Sequence, residues 1–322
     1  MSDYLFDKQG EADPEVARLE RLLAGHAHRE PLRPSAEAPR RRWTSAAMIT
    51  VLAAAATLAF VLVRPDPTPS PGAVCGPGGP GFAFASEGGA ARCAGAATGA
   101  GVLPIGEWLE TSDEVSARLE IADIGDLTVH GGSRVRLVGT GHDEHRLELA
   151  EGRISALVVA PPRLFVVDTP GASAVDLGCA YELAVDDEGR THLQVTSGAV
   201  SLEGRGRVAY VAAGNEVFAL PERGPGTPIA LDANRPLRDA VARFDAGDSS
   251  ALEQLLALAT ERDVFTLWNL LGRTEGEARS AVFHRLDSIQ PHPSTLRERD
   301  LLDGQPEALE VWREQLESSR VE

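Results

Sequence analysis

His142, Asp143, Glu144 and His145 bring two imidazoles and two carboxylates together in consecutive positions. Those donors suit a first-row transition metal. Gly141 precedes them and an alternating strand begins at Arg146, so they fall on a turn, where adjacent side chains diverge. A polar hairpin tip is the simpler account, and neither a metal nor a cofactor is expected. Cys75, Cys93 and Cys179 are too few for a four-thiolate site. Cys179 alternates with apolar neighbours, which marks a buried structural thiol rather than a nucleophile. Trp108, Trp268 and Trp312 read as core anchors. The sequence has no G-x-S-x-G, H-E-x-x-H or G-x-x-x-x-G-K run, so the nucleophile elbow, the zinc-protease helix and the phosphate loop are all missing. No catalytic residue is expected, and the chain reads as a non-enzyme.

What remains is recognition. Val16, Leu19, Leu22 and Leu23 fall within an arc of about 120° at 3.6 residues per turn. Asp13 is a natural N-cap, Pro14 suits the first helical position and Glu15 favours the positive end of the dipole, which predicts a helix over 13–28. Apart from Leu5 and Phe6, no other patterned segment nearby can cover that stripe. It must find a protein groove, the membrane interface or a second copy of itself. Glu15 and Glu20 stand beside Arg18 and Arg21, a balance unlike that of cation-rich interfacial helices. A protein partner is therefore expected, held by Val16, Leu19, Leu22 and Leu23.

Arg40, Arg41, Arg42 and Trp43 directly precede TSAAMITVLAAAATLAFVLV, residues 44–63, which carry no charge. As a helix this run spans about 30 Å, the hydrocarbon thickness of a bilayer. The positive-inside rule keeps 1–43 in the cytoplasm and sends the remainder across, with the three arginines setting orientation and Trp43 at the interface. A cleaved signal peptide fits less well, because forty-three residues precede the run and no A-x-A site follows it.

The chain has 322 residues, with 31 Lys plus Arg against 48 Asp plus Glu, a formal charge of −17. Residues 1–43 hold eight cations and eight acids, so the negative excess lies beyond the apolar run. That excess argues against direct nucleic-acid binding, which needs a clustered positive surface. Residues 64–101, rich in Pro, Gly and Ala, read as a stalk. Cys75 and Cys93 lie there in an oxidising space and are expected to pair; the alternative is two free thiols.

From 102 to 221 the hydrophobic period is two. Leu119 and Ile121, Leu127 and Val129, Leu147 and Leu149, and the run from Val175 to Val185 alternate with polar residues, with glycines about every ten positions. Short strands at that spacing predict an all-β domain, sandwich or solenoid-like. Over 229–320 the spacing becomes helical, and Thr274 with Glu277 and Thr295 with Glu298 read as capping boxes. The fold class is thus a multi-domain, membrane-anchored chain: one transmembrane helix, an all-β domain, then an α-helical C-terminal domain of five or six short helices.

The β segment resembles the FecR domain of single-pass transmembrane regulators, anti-sigma factors that control extracytoplasmic-function sigma factors. The resemblance rests on RLEIADIGDLTVHGGSRVRLV from Arg118, HRLELAEGRI from His145, FVVDTPGASAVDLGCAYELAV from Phe165, HLQVTSGAVSL from His192 and VAAGNEV from Val211. It places a small-residue break, Gly178-Cys179, inside the central strand. It implies a location in the bacterial inner membrane with the C-terminal bulk periplasmic, a cytoplasmic segment that contacts a sigma factor, and an outer domain that receives a signal from a protein partner. Two features depart from the family. A helical region replaces the usual receptor-docking module, and no cytoplasmic cysteine accompanies His26 and His28 to make a zinc site. The reading is a non-enzymatic transmembrane signalling regulator. Its alternative is an envelope interaction or structural protein that uses the β domain without a sigma partner.

Overall fold

The computed structural model describes Cys75 and residues 80–319. The helix expected at 13–28, the apolar run at 44–63 and Arg40–Trp43 lie outside the described residues. Among the described residues no helix is long and apolar enough to cross a membrane.

Period-two patterning yields, in chain order, β1 (Gly81–Glu87), β2 (Ala91–Cys93), β3 (Ala96–Thr98), β4 (Ala100–Pro104), β5 (Trp108–Glu110) and β6 (Ser116–Ile121). Then come β7 (Gly125–Val129), β8 (Arg134–Thr140), β9 (His145–Val158), β10 (Phe165–Asp168), β11 (Ser173–Asp176) and β12 (Ala180–Val185). The last are β13 (Thr191–Ser197), β14 (Ala199–Gly204), β15 (Arg207–Ala212), β16 (Asn215–Leu220), β17 (Gly224–Pro225) and β18 (Ile229–Ala230). One sheet runs β4–β1–β6–β7–β9–β12–β13–β16, with β17 and β18 added at β16. The other runs β3–β2–β5–β8–β9–β10–β11–β14–β15. Pairing is antiparallel except between β9 and β10. Leu119, Leu127 and Leu183 from the first sheet and Leu137, Leu147 and Val200 from the second are buried in one shared core.

Strand β9 belongs to both sheets, and its side chains show how. In its first half Leu147 and Leu149 are buried; in its second half Ile154, Ala156 and Val158 are. The inward face therefore changes from odd to even positions within one strand. The change falls at Gly152, whose φ is +88°. A Cβ there would lie 2.4 Å from the Ser133 Cα and 2.6 Å from the Gly132 carbonyl oxygen, so glycine is required by both conformation and space.

A second crossing separates β11 from β12. The alternating run from Val175 to Val185, one strand on its pattern, is two strands in different sheets. Gly178 turns between them, and the break falls where the family resemblance places it. The Asp176 carboxylate holds the turn, accepting the Gly178 N–H at 2.7 Å and the Cys179 S–H at 2.6 Å.

Several boundaries differ from those expected. Part of the 64–101 stalk is strand: β1 to β4 pair within the sheets, burying Phe82, Phe84, Ala91 and Cys93. Small Ala and Gly residues on the outward face hide the alternation there. A disulfide joins Cys75 to Cys93, with Cα atoms 6.0 Å apart, anchoring the chain at Cys75 against the core. At the other end the strands continue past 221 to Ala230, and helices start only at Arg235.

Six α-helices follow among the described residues: α1 (Arg235–Asp245), α2 (Ala251–Leu258), α3 (Val264–Arg273), α4 (Gly276–Ile289), α5 (Glu298–Leu302) and α6 (Pro306–Ser318). Neither expected capping box forms. Thr274 instead closes α3, donating its hydroxyl to the Leu270 carbonyl at 2.8 Å, and Thr295 lies too far before α5. The capping box that does form joins Thr260 and Asp263 ahead of α3. Helix α3 is buried on nearly all sides, as a central helix should be.

One buried carboxylate fastens α1 to the strands. Glu216 on β16 accepts from Arg238 of α1, from His192 Nε2 at 2.8 Å and from Gln194 Nε2 at 3.2 Å. Burial pushes the Glu216 carboxyl up, but these hydrogen bonds and the Arg238 charge together pull it below its ordinary value.

Two outcomes follow from these constraints. Gly152→Ala combines a left-handed backbone with overlap at Ser133 and should lower unfolding stability by about 2–5 kcal/mol, read from the urea midpoint. Glu216→Gln should cost about 1–3 kcal/mol at neutral pH. A carboxylate held low in the folded state contributes stability that is complete above its unfolded value of about 4.3 and lost as pH falls through the folded value. The gap between Glu216→Gln and the native chain should therefore close as urea titrations are moved into that acid range.

Candidate functional site

Strands β14 and β15 have no solvent face along most of their length. Val200, Leu202, Ala209 and Val211 enter the core between the sheets, while Ala199, Tyr210 and Ala212 on the other face join the core of the helices. A cleft of about 1370 Å³ opens beside β15, walled on its far side by α3, the end of α1 and α6.

Hydrogen-bond alternation decides what β15 offers to that cleft. The Ala213 N–H donates to the Gly198 carbonyl at 2.9 Å. Carried down the register to Gly204 opposite Arg207, this turns the N–H and C=O of Val208, Tyr210 and Ala212 away from β14. Asn269 of α3 takes both groups of Tyr210: its Oδ1 accepts the N–H and its Nδ2 donates to the C=O, each at 2.9 Å. The side-chain amide thus stands where a neighbouring strand would put a peptide group. Asn215 Nδ2 donates to the Ala212 carbonyl at 3.0 Å. Val208, at 58% exposure, is left with its outward edge open to the cleft.

The cleft is electrically polarised. At one end Arg273, largely buried, donates to Thr227 Oγ1 at 2.7 Å and to Asp245 Oδ1 at 3.3 Å. Asp245 is shared, because it also accepts from the Thr227 N–H and hydroxyl, both at 2.7 Å. Burial pulls the Arg273 guanidinium below its ordinary value; Asp245 opposes this and the nearby charge of Arg207 adds to it. Arg207 is exposed and has no carboxylate within ion-pair distance among the described residues. Asp245 therefore answers Arg273 alone, and Arg207 adds a second positive charge at this end. At the other end Arg313 lies 4.6 Å above the Tyr210 ring and is paired to both Glu310 and Glu317, so acids are in excess there.

Val16, Leu19, Leu22, Leu23, Arg40, Arg41, Arg42 and Trp43 lie outside the described residues. Of the residues singled out elsewhere, His145 is the buried first residue of β9, its Nδ1 2.7 Å from Thr140 Oγ1, and burial pushes its pKa down. Glu144 pairs with Arg146 at 2.8 Å, and His142 and Asp143 are exposed, so the four do not converge. Cys179 is buried beside Asp176, and burial pushes its thiol up, opposite to the direction a nucleophile needs. Trp312 is fully buried. Trp268 is half-buried, its Nε1 donating to the Leu309 carbonyl at 3.0 Å. Trp108 is no core anchor: it sits on an outer sheet face with the Arg134 and Arg136 guanidinia 3.9 and 4.9 Å from its ring.

Sequence reasoning passed over Arg207, Arg273, Asp245 and Asn269. Isolated polar residues on separate elements carry no local motif. One signal was present, in the apolar run from Val208 to Ala212 in β15, which marks a strand covered on both faces.

Comparison with known proteins gives one family match, over part of the β domain. Residues 107–201 match the family model described as FecR protein. Two solved structures, both candidate anti-sigma factors from Parabacteroides distasonis ATCC 8503, are similar at a low level. One shares 16% identity over 42% of this chain and 64% of its own, with a TM-score of 0.34. The other shares 15% over 46% and 73%, with a TM-score of 0.34. This chain thus spans under two thirds of the first, and at that level of superposition nothing about it follows from either. No curated protein matches the chain. The match takes in β5 to β13 and the start of β14, including both crossings between the sheets. Within the β domain, residues 107–201 are accordingly similar to the FecR family.

Proposed function

We propose that this chain is a non-enzymatic, single-pass regulator of the FecR type, controlling a cytoplasmic extracytoplasmic-function sigma factor in response to an envelope signal. The observation that carries this reading is the order of its parts. The cation cluster Arg40–Arg42 and the uncharged run at 44–63 precede the FecR segment at 107–201. In this arrangement 1–43 is cytoplasmic, 44–63 spans the inner membrane and the β and helical regions are periplasmic. The Cys75–Cys93 disulfide agrees with an oxidising compartment. The output is the N-terminal helix, whose Val16, Leu19, Leu22 and Leu23 stripe is covered by the sigma factor and released when the outer region is engaged by its partner.

The rival reading is an envelope interaction protein that uses the β domain without a sigma partner. A single assay separates them. Residues 1–42, used as bait in extracts of the native host, should retain a sigma factor. Leu19→Asp with Leu22→Asp removes two buried leucines, each worth roughly 1.5–3 kcal/mol, and should weaken capture at least about a hundred-fold. A full-length double variant that regulates the target promoter like the native chain would remove the mechanism.

A further inference from the structure

We propose that the cleft beside β15 receives an extended acidic segment of a protein partner, which pairs with the open edge at Val208 and sets a carboxylate against Arg207 and Arg273. The site rests on the geometry of the described residues and goes beyond the sigma-factor reading, which it neither needs nor supports.

Three independent features converge on that ligand. The first is backbone. The outward N–H and C=O of Val208 form the donor and acceptor pair that another extended chain satisfies. At Tyr210 the same pair is already filled by Asn269, so the added strand is short and centred on Val208. The second is size. A cleft of about 1370 Å³ exceeds the roughly 300–1,000 Å³ typical of small-molecule pockets, and a strand edge forms one of its walls.

The third is charge. Arg207 has no acid of its own among the described residues and Arg273 shares Asp245 with Thr227. A carboxylate at this end answers an uncompensated cation, and Arg offers it a bidentate fork. Glu310 and Glu317 bias the other end against acids, so the carboxylate belongs at the Arg207 end. The chain's net charge of −17 repels an acidic segment at long range. At physiological salt that repulsion is screened beyond about 8 Å, leaving the local pairing to decide.

The test uses the purified full-length chain in a neutral detergent and two fluorescent pentapeptides, one alternating valine with aspartate and one alternating valine with lysine. In fluorescence anisotropy at physiological salt the acidic peptide should bind at least about ten-fold more tightly. Arg207→Glu should abolish that preference or reverse it, and Arg207→Gln should lose part of it. Arg92→Glu, the same charge change at an exposed position on β2, should leave it intact. Hydrogen exchange should show the Val208 amide gaining protection when the acidic peptide is bound. No detectable binding of the acidic peptide, equal affinity for the two peptides, indifference to Arg207→Glu, or new protection confined to other strands would each overturn the proposal. The assay contains no sigma factor, so its failure would leave the cytoplasmic mechanism untouched.

Discussion

The β domain depends on one strand changing sheets without ending. Fourteen residues of β9 are shared between two sheets, and the strand can serve both only if its inward face changes parity along the way. Gly152 makes that change possible, because its φ of +88° is open to glycine and because Ser133 and Gly132 of the neighbouring turn occupy the space a side chain would need. Up to this point β9 pairs with β8 and β10; beyond it, with β7 and β12. The common core exists because both halves of β9 aim their apolar residues into it. Gly178 repeats the device between β11 and β12, with Asp176 as its hydrogen-bonding clasp.

A second constraint makes the helices part of the same body. β14 and β15 send one set of side chains into the sandwich and the other into the helical core. Asn269 then binds the backbone of Tyr210 from α3, and Glu216 binds Arg238 of α1. Such contacts are short, directional and largely buried, so loss of one partner strands the other. The cleft between β15 and the helices thereby adjoins the segment that matches the FecR model, which begins at residue 107 and ends within β14.

Much of this was legible in the residues. Alternation at Leu119, Leu127, Leu147 and Leu183 placed strands in the β domain, and the stripes of Leu255, Leu267, Leu286 and Trp312 placed helices after it. The turn at Gly178-Cys179 was visible through the family pattern. Strands β1 to β4 were not, because alanine and glycine on their outer face give little contrast with the buried Phe82 and Phe84. Thr274 and Thr295 had capping spacing, yet Thr274 found a carbonyl in the helix behind it, a choice that local sequence does not record. Trp108 looked like core but pairs with arginines across the sheet. The cleft was illegible for a different reason: Arg207, Asp245, Asn269 and Arg273 meet only through tertiary packing.

The central claim is that the strands and helices beyond residue 80 act as one cooperative body, with the cleft at its seam. Hydrogen exchange of the full-length chain across a urea series, resolved by mass spectrometry into segments, measures this most directly. If the double-sided burial of β14 and β15 joins the two regions, peptides from β12–β15 and from α3–α4 lose protection at one common urea concentration. If the helical peptides open at clearly lower urea while β14 and β15 keep their protection, the helices are a separate module and the account of the seam is wrong.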